Sequence, residues 1–282
     1  MQAAMAINSL NRSHPSLIPT RAEAGRSEVG RAETGRAEVD VTGKAGCGDC
    51  VLGKLCLPRI FTSQSPDSAR GHLNSLVRQN KAMLRRKDVL FHQGHEFDSL
   101  FVVRAGAIKT VMLDENGTEH ITGFHLPGDI VGLDGISTSR YATTAVALDS
   151  TSVCTLPFAA LEKVASQVPD VQHYVFRIMA QEIQKDQNMM LTLGHRSADQ
   201  RMAAFLLRLS QHFQHRHLSA DSFRLPMSRG DIGNFLGLAV ETVCRILTRF
   251  QKINLLQTDG RTVSQLDIAG LQTLLSTPAR EL

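Results

Sequence analysis

Between residues 84 and 157 apolar and β-branched positions come in short runs separated by glycine-bearing turns. Ser99-Leu-Phe-Val-Val103 and Ala107-Ile-Lys-Thr-Val-Met-Leu113 are two such runs, broken at Gly106. Asp114-Glu-Asn-Gly117 reads as a hairpin turn, with Asn-Gly supplying the left-handed positions. His120-Ile-Thr-Gly-Phe124, the turn Leu126-Pro-Gly-Asp129 and the stretch Thr144 to Leu156 complete the series. Strands at this spacing predict an antiparallel barrel or sandwich. From Pro169 the period changes. Phe176, Met179, Ile183, Asp186, Met190 and Leu193 alternate spacings of three and four, the seam of a coiled coil, with Pro169-Asp170 as the helix start. Such a seam pairs with a second copy or lies on the strands of its own chain; the carboxylate within it favours the pair.

Ser197 to Gln214 predicts a further helix with Met202, Phe205, Leu206 and Leu209 on one face. Ser228 to Leu236 is a short helix stopped at Gly237. Ala239 to Ile253 restarts as an amphipathic helix, with Val243, Ile246, Leu247 and Phe250 inward and Glu241, Cys244, Arg245 and Arg249 outward. Two short helices about a glycine-containing turn form a helix-turn-helix or an ordinary helical hairpin. Asp259-Gly260 closes a small hairpin, as in a winged domain.

The N-terminal part follows neither period. Residues 21–40 are four copies of a pentapeptide, RAEAG, RSEVG, RAETG and RAEVD, so residues 1–44 read as a disordered extension, or alternatively an interaction arm. Length allows two domains plus tails. With 5% aromatic residues and no Trp, the cores are mostly aliphatic. Residues 195–282 hold eleven Lys and Arg against seven Asp and Glu, so the whole net charge of +4 lies there, which suits a polyanion partner. No stretch approaches the roughly 20 apolar residues of a membrane span, and the first residues lack a signal-peptide core. A cytosolic protein with no membrane partner is expected.

That compartment bears on the cysteines. Cys47, Cys50 and Cys56 form a C-x2-C-x5-C cluster, Cys154 lies far downstream, and Cys244 makes the count odd. Cytosolic chains more often load such thiols with metal than pair them. Four thiolates select iron–sulfur or zinc over hard cations. Structural zinc usually takes two C-x2-4-C knuckles, and only one is present, but the residues leave both metals open. A redox enzyme using Cys47 and Cys50 would need them at a helix N-terminus after a strand, a context that Gly46 and Gly48 do not offer. His120 and His125 flank a strand, and His212, His215 and His217 cluster at a helix end; all five read as structural or solvated.

In combination these features resemble the Crp/Fnr regulators, and within them the Fnr branch of oxygen-responsive transcription factors. The likeness runs from about Cys47 to Ile268 and is carried by Ile121-Thr-Gly-Phe-His-Leu126, Gly128-Asp129, Met227-Ser-Arg-Gly-Asp-Ile-Gly-Asn-Phe-Leu-Gly237 and Val240-Glu-Thr-Val243. It implies an α+β fold: an N-terminal antiparallel β-barrel of the cyclic-nucleotide-binding type, a long dimerisation helix and a C-terminal winged helix-turn-helix. The boundaries would be 45–168, 169–194 and 195–282. It implies Cys47, Cys50, Cys56 and Cys154 as ligands of a [4Fe–4S] cluster, and a homodimer through Met179, Ile183, Asp186, Met190 and Leu193. The family's E-x2-S-R reading pattern is present as Glu241, Cys244 and Arg245, with Cys in place of Ser. By resemblance the partners are double-stranded DNA with TTGAT-like inverted repeats and RNA polymerase, the role is control of anaerobic metabolism, and the protein is not an enzyme. Related sensors hold a cyclic phosphate with an Arg-Ser pair; Tyr141-Ala142 stands there, so no cyclic nucleotide is expected. A small-molecule sensor with an empty or haem-occupied barrel is the rival on the same fold.

Overall fold

The computed structural model describes residues 83–277. Cys47, Cys50, Cys56 and the pentapeptide repeats lie outside them. Seven strands come first: β1 Val89–Phe91, β2 Ser99–Ala105, β3 Ile108–Leu113, β4 Glu119–His125, β5 Ile130–Val131, β6 Thr144–Ala147 and β7 Ser152–Pro157. All their pairings are antiparallel. They form two sheets, ordered β1-β6-β3-β4 and β5-β2-β7, rather than one closed barrel. Alternation along β2 sends Val103 to a core shared by both sheets, with Phe91, Ile108 and Val153. Leu100 and Val102 go to the opposite face, with Cys154 and Leu156.

The turns follow local chemistry. Gly106 has φ +82°, and a Cβ there would lie 2.4 Å from the Ser150 carbonyl oxygen, so β2 and β3 can join only through glycine. The β3–β4 hairpin corrects the sequence reading: Leu113 faces Glu119, and Gly117 alone in the loop is left-handed. The Asp114 carboxylate accepts from Asn116 N at 2.9 Å and Thr118 N at 2.8 Å, which selects this turn over the two-residue Asn-Gly form. His120 and His125 lie within β4 instead of flanking it.

A helix not anticipated from the sequence, α1 Phe158–Gln167, follows β7 directly and buries Leu161 and Val164 against Leu100 and Leu156. Val168 precedes a proline and is extended, which ends α1. Pro169 then opens α2 Pro169–His195, where its missing N–H costs nothing. Ser197 and Gln200 form a capping box that starts α3 Ala198–Gln214. After β8 Phe223–Arg224 come α4 Arg229–Leu236, α5 Val240–Lys252, β9 Gln257–Asp259, β10 Thr262–Ser264 and the second unanticipated helix, α6 Ile268–Ser276. The strands β8-β10-β9 form the small wing sheet. Among the described residues no helix is long and apolar enough to cross a membrane.

Candidate nucleic-acid interface and metal ligands

The pair α4–α5 is set by its ends. Ser228 and Asp231 cap α4 reciprocally, and Gly237 ends it with φ 63°. A Cβ on Gly233 would lie 2.6 Å from the Leu238 carbonyl oxygen, so only glycine lets the turn approach α4 so closely. Within α5, Val243, Ile246, Leu247 and Phe250 are buried, as the helical period predicts. That burial turns Glu241, Cys244, Arg245 and Arg249 outward, all exposed. Arg245 receives orientation from Thr242, donating from Nη2 to its hydroxyl at 3.2 Å. Arg249 is paired with Asp199. The sequence reading missed Arg229, which donates to the Gly260 carbonyl at 3.0 Å. Burial lowers its pKa and nearby Cys244 pulls the other way, so this arginine borders the same face.

Cys154 lies on β7 opposite Val102 of β2 and is 6% exposed, with Leu100, Leu156 and Leu161 around it. It is a soft donor on a rigid strand in an apolar setting. Among the described residues no three His, Cys, Asp or Glu side chains converge into a metal-binding group.

On α2 the seam residues divide. Phe176, Ile183 and Met190 are 57%, 58% and 72% exposed, and Asp186 is exposed between them. Met179 and Leu193 are half-buried. Loss of water around Asp186, and then Glu182 one turn earlier, hold its carboxyl above the usual range.

Tyr141 is buried, stacked on Phe91 at 3.8 Å between centroids, and its hydroxyl donates to the Ser99 carbonyl at 2.8 Å. Burial pushes that phenol up to about 12. Arg140 is exposed and donates to the Gly94 carbonyl at 2.7 Å.

Contacts between the sheet half and the helix-turn-helix were not legible in the sequence. Lys109 of β3 meets Asp231 at 2.8 Å, both side chains under one-fifth exposed. Burial raises the Asp231 pKa, but hydrogen bonds from Lys109 and Ser228 outweigh it and hold the carboxyl below the ordinary value. Asn234 accepts from Ile121 N and donates to the Glu119 carbonyl, each at 2.7 Å, continuing the edge of β4 with a side-chain amide. Phe124 packs on Phe235 and Phe205 with centroids 5.1 and 6.1 Å away.

The family profile of the cyclic nucleotide-binding domain matches residues 82–168, and that of the Crp-like helix-turn-helix domain matches residues 200–274. The transcriptional activator protein FnrA of Stutzerimonas stutzeri is 47% identical over 231 residues, 82% of this chain and 93% of its own. The transcriptional activator protein Anr of Pseudomonas aeruginosa is 46% identical, over 79% of this chain and 90% of its own. The fumarate and nitrate reduction regulatory protein of Yersinia pestis is 39% identical, over 84% and 92%. Among solved structures, FixK2 from Bradyrhizobium japonicum aligns with a TM-score of 0.64 at 31% identity, covering 70% of this chain and 96% of that one.

Proposed function

The chain belongs to the Crp/Fnr family of transcription regulators, and from that premise we propose that it senses oxygen by holding a [4Fe–4S] cluster on Cys47, Cys50, Cys56 and Cys154, and pairs into a DNA-binding homodimer while the cluster is bound. The observation that carries the reading is the outward face of α5, with Glu241 and Arg245 exposed over a fully buried inner face. Glu241 can accept from a cytosine amino group and Arg245 can grip guanine O6 and N7. Cys244 stands where the family has Ser; its thiol can lie against a thymine methyl. A TTGAT-like inverted repeat is the matching site, with two such helices in successive major grooves about 34 Å apart.

Four thiolates suit an iron–sulfur cluster, and Cys154 offers one from a fixed strand among apolar neighbours that exclude hard, hydrated cations. Bound there, the cluster would supply an oxygen-labile tie between the N-terminal cysteines and β7. Dimerisation falls to α2: Phe176, Ile183 and Met190 expose apolar surface that a second copy would cover, with Met179 and Leu193 at its margins. Asp186 sits within that surface, so pairing brings two carboxylates together and costs several kcal/mol unless they are protonated or partnered, on the order of other buried like charges. The cost keeps the cluster-free chain monomeric, and a monomer loses the affinity gained from two half-sites. The protein acts without catalysis, controls anaerobic metabolism with RNA polymerase as partner, and takes no cyclic nucleotide, since the buried Tyr141 stands where an arginine would be needed. The chain would divide into an extension 1–44, a sensor 45–168, a dimerisation helix 169–194 and a DNA-binding domain 195–282.

Anaerobic purification with iron and sulfide analysis tests this directly. About four of each per chain are expected, following the cluster's own composition. Cys154→Ser should lose the cluster and DNA binding together, and Cys244→Ser should keep the cluster. A Cys154→Ser protein with a full cluster would overturn the ligand set.

A further inference from the structure

A groove of about 580 Å³ opens where the β4–β5 turn, α2 and α3 meet. Its size is that of a small-molecule pocket, roughly 300–1,000 Å³. Phe124, Leu126 and Met189 give it an apolar floor. Its walls carry four permanent cations, Lys185, Arg196, Arg201 and Arg208, against one carboxylate, Asp129. Asp129 is already engaged: it accepts from Leu126 N at 2.8 Å, and Arg216 and His212 lie 3.6 and 3.8 Å from its other oxygen.

The cations differ in what they still lack. Lys185 meets Glu182 at 2.7 Å, and Arg201 donates to the carbonyls of Leu193, Arg196 and Leu236. Arg208 is exposed and makes no hydrogen bond or ion pair among the described residues. One guanidinium nitrogen of Arg196 is buried with no acceptor among them, and so is Nε2 of His212. A buried donor left unmet is unfavourable, and an anionic oxygen placed there would meet it.

We propose that this groove binds an amphipathic organic anion, with Arg196 and Arg208 on its phosphate or carboxylate head and the apolar body against Phe124, Leu126 and Met189. Neither Cys154 nor the outward face of α5 lines the groove. An occupant would bridge the sheet half, the long helix and the first helix of the DNA-reading half.

Titration calorimetry on the full-length protein tests it with n-decyl phosphate and decanoate below their micelle concentrations, and with inorganic phosphate and decanol as half-ligands. At least one amphipathic anion should bind at a single saturable site, tenfold or more tighter than either half-ligand. Arg208→Gln, and Gln211→Glu on the exposed wall of the groove, should each weaken that binding fivefold or more with an unchanged melting temperature. Arg86→Gln, an exposed cation on the remote sheet end, should leave it unchanged. Absence of saturable binding, equal binding of a half-ligand, or full affinity in both groove variants would overturn the proposal.

Discussion

Arg245 and His212 show how differently single side chains act in this molecule. Arg245 is exposed and ready to meet a base, so its removal should leave stability alone and cost binding. Arg245→Ala should lose about 1–3 kcal/mol of DNA affinity and relax preference at the guanine. A selected-site experiment checks this, and an unchanged guanine preference would remove Arg245 from base reading. His212 is about one-seventh exposed, and burial depresses its pKa to about 4, with Asp129 pulling it back up and Arg216, Lys185 and Arg208 adding to the depression. Between pH 6.5 and 4 the unfolded chain therefore binds the extra proton and the folded chain does not. Stability is full above pH 6.5 and falls as pH drops through that window, by an amount on the order of 3 kcal/mol. Denaturant titrations across this range should show a shallower acid loss in His212→Gln than in the parent.

At the scale of one element, α2 carries two jobs on different faces. Val171 and Ile178 pack on the core beneath β2 and β7, and Met189 packs on the DNA-reading half, which leaves Phe176, Ile183 and Met190 to solvent. Asp186→Ala removes the charge from that face. The variant should sediment as a dimer in air and bind DNA without its cluster; a monomer indistinguishable from the parent would show that Asp186 is no brake. Protonation relieves the same repulsion, so pairing of the parent should strengthen as pH falls towards the raised pKa of Asp186, and this slope should shrink in the variant. The helix, with its start at Pro169, was legible in the sequence. Helix α1 was not, because a ten-residue segment with only Leu161 and Val164 deeply buried gives too short a pattern to separate from strand.

Across the whole molecule, the DNA-reading half is tied to the strand-bearing half by polar groups whose value depends on being met. Asn234→Ala would leave Ile121 N and the Glu119 carbonyl without their partner, a loss of about 1–2 kcal/mol. Amide exchange at Ile121 should accelerate in that variant and exchange within α5 should not. Unchanged protection at Ile121 would mean that the amide bridge holds nothing.

Local order in the chain determined β2, β3 and β4, the caps of α3 and α4, the inward face of α5 and the outward position of Glu241, Cys244 and Arg245, whereas the stretch Thr144 to Leu156 proved to be two strands, β6 and β7. Each of these rests on residues within one or two turns of one another, through side-chain period, Ser-x-x-Gln or Ser-x-x-Asp capping, and a glycine that must be left-handed. The Asp114 turn shows the edge of that legibility, because hydrogen bonds from one carboxylate overruled the Asn-Gly signal. Only the tertiary structure decided that the strands divide into two sheets, that Asn234 reaches β4 across more than a hundred residues of chain, and that four cations from α2, α3 and the link between them surround one groove. Nothing in a sequence window reports such distant meetings: they form when separate apolar faces are buried together, and the polar side chains at the rims then find whichever partners that burial brings within reach.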